Sequence, residues 1–238
     1  MRNERNLPRR VQPEVLDVLS ADDPAARRAR RDLRRLHHAM GTLPILLHAL
    51  DRVAGGSAVR TMLELGAGDG SVMLRLAQRR AAHWPGVAVT LLDRQSAVGE
   101  RTMQGLRAVG WAPSVVIADV FDWLERPRVG RWDIIVANLF VHHFAPPDLS
   151  RLLSLIAMRT LAFLCCEPRR SAVPLLGSYL IGLLGAGPVA REDAVLSVHA
   201  GFRGQELTAA WPRDDRWRLH EYPAGLFSHC LLAVREAG

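Results

Sequence analysis

The chain has 238 residues, 49% hydrophobic and 23% charged, which suits one globular domain with a full core and excludes a disordered or fibrous protein. Its formal charge of +7 comes from Arg alone, since the sequence contains no Lys, and this excludes Schiff-base and lysine-base chemistry. The Arg residues form no stripe, so nucleic acid is not the expected partner.

The N-terminus is polar and Arg-rich, without the apolar core of a signal peptide. Cys165, Cys166 and Cys230 sit in apolar runs with no CxxC spacing. Buried free thiols in a reducing cytoplasm are expected.

In chain order, residues 1–10 are charged. Helical pieces follow over 14–19, 24–40 and 44–53, with Asp22-Asp23-Pro24 as cap and first-turn proline of the second. On that second piece Ala29, Leu33 and Leu36 share a face. Arg30, Arg31 and Asp32 lie either on a solvated face or toward a ligand. Residues 55–57 read as a linker, dividing an N-terminal helical cap (1–56) from the main domain (57–238), which carries an apolar helical insertion at about 171–203.

A strand is predicted over Thr61–Leu65, then a glycine turn and a helix opening at Ser71. Further strands are expected at 87–92, 114–117, 134–137 and 161–166, with helices between them. Such alternation predicts an α/β fold with a parallel sheet covered by helices on both faces. A terminal strand pair at 217–222 and 227–234 closes the chain.

Ligands in such sheets sit beyond the carboxyl ends of the strands. Gly66, Asp93, Asp119 and Asn138 fall there, one per strand. The uncharged stretch 173–190 is interrupted by prolines and glycines, leaving too short a helix to span a bilayer. Its bulky stripe of Leu175, Leu176, Tyr179, Leu180, Leu183 and Leu184 is expected to be buried against the sheet or a second copy, or else to form a lid over an apolar substrate pocket or a membrane-surface contact. Of the last two, the lid is the preferred expectation.

The turn Glu64-Leu65-Gly66-Ala67-Gly68-Asp69-Gly70 has neither P-loop nor G-x-G-x-x-G spacing, which argues against nucleoside triphosphates and NAD. It resembles motif I of the class I S-adenosylmethionine (SAM)-dependent methyltransferases, and the likeness covers roughly residues 61–166. That resemblance implies a Rossmann-like seven-stranded, mostly parallel sheet ending in an antiparallel hairpin. It also implies SAM as cofactor and S-adenosylhomocysteine (SAH) as product.

Carried across residue by residue, Gly66, Ala67 and Gly68 meet the methionine part of SAM, with Glu64 ordering the turn or its amine. Asp93 takes the ribose diol. Asp119 with Val120 takes adenine, with Arg94 over the other face. Asn138 stands near the methyl-transfer zone.

The spacing from Asp133 to His142 is similar to that of plant-type O-methyltransferases, which makes His142 the candidate general base, with His143 the second choice and Glu167 a residue to orient it. The N/D-P-P-Y/F motif of nucleic-acid amino-methylases is replaced by Asn138-Leu139-Phe140-Val141. No metal is expected, because Asn138 with His142 does not match the ligand set of the cation-dependent catechol enzymes.

The expected partner is a small, largely apolar acceptor, aromatic or polyketide-derived, as in bacterial secondary metabolism, handled by a cytoplasmic monomer or homodimer. Carbon methylation of quinone or polyketide type is the alternative, as is a non-catalytic SAM-binding subunit.

Overall fold

A computed structural model describes residues 7–20, 22–54, 58–127 and 129–236. The predicted linker at 55–57 and the charged start up to residue 6 lie outside this set. Three helices come first, α1 (Val15–Val18), α2 (Pro24–Ala39) and α3 (Thr42–Ala54). The alternating part follows as β1 (Thr61–Leu65), α4 (Ser71–Arg80), β2 (Ala88–Asp93), α5 (Glu100–Ala108), β3 (Ala112–Ile117) and α6 (Val120–Leu124). It continues through β4 (Trp132–Asn138), α7 (Pro146–Arg159) and β5 (Thr160–Pro168). After α8 (Ala172–Leu180), α9 (Pro188–Ala200) and α10 (Glu206–Ala210), the chain ends in β6 (Trp217–Ala224) and β7 (Ser228–Arg235).

The seven strands form one sheet in the order β3-β2-β1-β4-β5-β7-β6. The first five are parallel, and β7 runs antiparallel to both β5 and β6. Burial explains the order. Strands β4 and β5 are apolar almost without interruption and take central places covered on both faces. β3 is largely exposed and carries Pro113, which an edge strand tolerates.

The sheet separates two hydrophobic clusters. One gathers Leu46, Leu50, Met62, Met73, Leu76, Leu91 and Leu106; the other gathers Leu63, Leu65, Leu152, Leu153, Ile156 and Phe163. The helix α3 sends Leu46, Ala49 and Leu50 fully into the first cluster. At ~1.5–3 kcal/mol for each buried leucine, it is held to the sheet as firmly as α4. In contrast, α1 and α2 pack chiefly on α9.

The expected lid geometry is reversed. Over residues 173–184, Pro174, Ser178 and Ile181 are the buried positions, while Leu176, Tyr179, Leu180, Leu183 and Leu184 face solvent. Small residues set this orientation: a Cβ on Gly177 would come within 3.0 Å of the Phe227 ring, so the small face makes the close contact. The helix gives way to a 3-10 turn over Ile181–Leu184. No helix among the described residues is long and apolar enough to cross a membrane.

Candidate active site

The sheet order reverses direction between β1 and β4, and their carboxyl ends open the crevice where such folds bind ligands. Gly66, Gly68 and Gly70 have φ of +66°, +54° and +70°, a region L residues rarely adopt. A Cβ on Gly66 would lie 2.3 Å from the Phe140 ring, whereas a Cβ on Gly68 would meet nothing within 4 Å. Gly66 is therefore glycine for packing, and Gly68 presents bare backbone to the crevice. Ala67 donates its N–H to the carbonyl of Leu92 at 3.0 Å, tying the turn to β2.

Glu64 is buried and its Oε2 has no hydrogen-bond partner. Burial, with Asp69 and Asp93 nearby, pushes its carboxyl well above the usual carboxylate range. Asp69 accepts from the Ser71 N–H at 3.1 Å and pairs with Arg34 of α2, so the second helix is fastened across the turn.

Asp93 ends β2 and accepts from the Gly68 N–H and the Gln95 N–H, each at 2.8 Å. It thus braces the glycine turn as well as facing the crevice. Arg94 is exposed, and its charge acts on Asp17. Asp119 is the N-cap of α6, with Oδ1 accepting from Phe121 at 2.9 Å and Asp122 at 3.5 Å. Val120 is buried beneath that first turn.

Asn138 ends β4 with only 8% exposure, its Oδ1 unpartnered and its Nδ2 3.4 Å from Nε2 of His37. Among the described residues, Leu139 is the one non-glycine with positive φ, at 51°. This strained step turns the chain out of the sheet into Phe140. Of the α2 residues, Arg30 bonds Gln95, while buried Asp32 accepts from Gly187 N–H at 2.9 Å and so secures the start of α9.

Beyond Leu139 a 3-10 turn covers Val141–His143. Glu167, fully buried at the end of β5, accepts N–H groups of Phe140 and Val141 at 3.1 Å. Its Oε2 lies 2.6 Å from Nδ1 of His142. His142 is 1% exposed, and its Nε2 faces Glu14 Oε1 at 3.2 Å. Burial works against its charged form, but the bonds to Glu14 and Glu167 prevail and carry its pKa up to about 9. For Glu14, burial opposes ionisation, yet the His142 bond leaves its pKa lowered.

His143 stacks on His142 with ring centroids 4.2 Å apart and pairs through Nδ1 with Asp17 at 3.2 Å. Glu14 and Asp17 belong to an N-terminal strap that sequence reasoning did not connect with the site. Arg9 of the same strap donates to the carbonyls of His142 and Phe144 at 2.9 Å. Asp193 of α9 receives the N–H groups of Val15 and Leu16 at 2.7 and 3.1 Å. Gln95 donates to the strap carbonyls of Leu19 and Asp17 at 3.2 and 3.3 Å, two residues after Asp93.

A cavity of about 400 Å³ opens past β5, lined among others by Arg169, Arg203, Gln205, Glu221 and His229. The three cysteines are free and buried.

No protein-family profile matches the chain. Over 101 residues, 42% of its length, it is 33% identical to the tRNA1(Val) (adenine(37)-N6)-methyltransferase of Shigella boydii serotype 18 and 32% identical to that of Escherichia coli O1:K1. The match spans 38% of the length of these curated relatives. Among solved structures it is similar to the plantazolicin methyltransferase BpumL in complex with SAH (TM-score 0.59, 12% identity, 90% of this chain and 92% of that one). An O-methyltransferase family protein from Burkholderia thailandensis superposes with TM-score 0.62 at 16% identity, over 92% of this chain and 62% of that one. The mitomycin 7-O-methyltransferase MmcR does so with TM-score 0.55 at 20% identity, over 93% and 60%. The chain has the class I SAM-dependent methyltransferase fold.

Proposed function

We propose that the chain is a SAM-dependent methyltransferase acting on a hydroxyl of a small, largely apolar acceptor, with aromatic or polyketide-derived metabolites as the leading class. The observation that carries the reading is the His142–Glu167 pair, four residues past the end of β4 and beside a glycine cradle. The donor set fits the cofactor. Buried Glu64 Oε2 and Asn138 Oδ1 both lack partners and suit the donor groups of an amino acid. SAM, when bound, supplies an already activated methyl group, so alignment and exclusion of water are the protein's main tasks.

Gly66, Ala67 and Gly68 would hold the methionine part, with Asp93 on the ribose diol. Asp119 and Val120 would flank adenine, with Arg94 at its outer side. His142 would take the acceptor proton at Nε2, a position that Glu14 fills in this structure. An acceptor hydroxyl replacing Glu14 removes one of the two carboxylates that raise the His142 pKa. The imidazole then becomes a competent base while Glu167 holds its orientation. Either His142 or its neighbour His143 is within reach of the same space.

The partial identity to an adenine methyltransferase does not carry over its substrate, because Asn138-Leu139-Phe140-Val141 lacks the paired prolines expected for amino-group chemistry. Calorimetry against SAH and, separately, NADH tests the class. Binding of SAH alone is the expected result, and binding of neither ends the enzyme reading. Product analysis with phenolic and polyketide acceptors then separates oxygen from carbon methylation. SAH binding without turnover of any acceptor would favour a non-catalytic subunit.

A further inference from the structure

The N-terminal strap meets the His142 turn in an arrangement that the methyl-transfer reading does not use. Glu167, itself fully buried, holds Nδ1 of His142 at 2.6 Å, which fixes a proton there and directs Nε2 away from β5. Nε2 faces the Glu14 carboxylate at 3.2 Å. A proton on Nε2 bridges this pair in the metal-free protein, and a metal ion would take that proton's place. His143 stacks alongside, and donor atoms of Glu14, His142 and His143 all lie within 4.8 Å of one another.

We propose that Glu14, His142 and His143 form a binding site for a divalent transition-metal ion. Two imidazoles with one carboxylate suit Zn(II), Fe(II), Co(II) or Ni(II), whereas Mg(II) and Ca(II) favour all-oxygen sets. The Glu14–His142 separation of 3.2 Å lets both reach one ion at about 2.1 Å without moving. His143 is partly exposed, and one of its ring nitrogens lies within 4.8 Å of the donor atoms of both.

Each donor already has the support that metal ligands require. Glu167 holds the far nitrogen of His142, the Ser197 hydroxyl donates to Glu14, and Asp17 sits beside His143. Partial exposure of Glu14, His143 and Asp17 gives an ion its way in from solvent. Three protein ligands leave positions open on the ion. An ion on Nε2 and the general-base role of His142 exclude one another, so ion binding does not rest on the methyltransferase reading. The metal-free expectation weighs a His-His-carboxylate set and rejects it because Asn138 with His142 differs from the catechol-enzyme ligands, without the distant Glu14.

The test is titration of the chelator-stripped full chain with Co(II), followed by visible absorption, alongside SAH calorimetry. One equivalent should bind at micromolar concentration or tighter, giving the weak bands of nitrogen and oxygen ligation. Glu14→Gln and His143→Ala should each weaken Co(II) binding at least about tenfold, keeping SAH affinity and the parent thermal transition. If Glu14→Gln fails to fold, the partly exposed His143→Ala decides alone. The site is overturned by absence of saturable binding, by unchanged binding in both variants, or by a thiolate charge-transfer band. SAH binding without Co(II) binding sinks only the metal site, and the converse sinks only the methyltransferase reading.

Discussion

The two halves of the crevice are built on different principles. On the proposed cofactor side, Glu64, Asp93 and Asn138 stand in the last positions of their strands and Gly66, Gly68 and Asp119 in the turns just beyond, so the sheet order alone brings them together. On the proposed acceptor side, Glu14 and Glu167 reach His142 from segments far apart in sequence, while Ser197 bonds Glu14 and Asp193 holds the strap at Val15 and Leu16. The first half is positioned by backbone, with glycines and caps. The second depends on a network of buried charges, where removing one partner leaves another exposed to the full cost of burial. Changes on the two sides should therefore fail in different ways.

The largest difference should come from His142→Ala, expected to cut kcat by about 100-fold or more while leaving SAH affinity intact. A variant of near-parental rate with a phenolic acceptor would reduce His142 to a packing residue. On the backbone-built side, Gly66→Ala combines a strained positive φ with a Cβ 2.3 Å from the Phe140 ring. It should cost about 3 kcal/mol in chemical denaturation. A loss below about 1 kcal/mol would show that Phe140 moves freely.

Asp93→Ala gives a more graded test. Its carboxylate braces the Gly68 and Gln95 N–H groups and is the expected ribose ligand. SAH affinity should fall by about 1–3 kcal/mol, read by calorimetry. Because Gln95 also ties down the strap, accelerated proteolysis within residues 7–20 should accompany that loss. Weakened SAH binding with an unaltered strap would mean that the two halves of the crevice are not coupled through Gln95.

The same contrast explains what could be read in advance. Strand ends were legible because each apolar run stops at a polar or glycine residue, as β1 does at Gly66 and β2 at Asp93. The hairpin and the buried cysteines followed from pattern as well. Glu14 carries no such signal: it is one acidic residue in an irregular charged stretch, 128 positions from its partner. The apolar stripe of α8 misled for a related reason. Hydrophobic pattern favours the bulky face as the buried one, but Pro174 and Ser178 are the buried positions, and Gly177 allows the close approach to Phe227. Asp119 and Asp133 show a further limit, since an acid at a strand end serves caps as readily as ligands. Asp133 accepts the N–H groups of Arg60 and Thr61 at 2.7 and 2.9 Å and joins β4 to the start of β1.

The smallest effect sits at the seam between the halves. His37 of α2 lies against Asn138, and burial lowers its pKa to about 4, with Asp69 opposing and Arg75 reinforcing the shift. Its folded value lies below the unfolded value near 6.5, so the unfolded chain binds more protons between those limits. Stability from this group is fully present above about pH 6.5 and is lost as pH falls toward 4. Between pH 7 and pH 5 the loss should approach about 2 kcal/mol in urea unfolding. His37→Gln should flatten that slope relative to the parent, because its amide keeps a polar contact for Asn138 without titrating. An unchanged slope would show that His37 is open to water, and that α2 does not close over the end of β4 in solution.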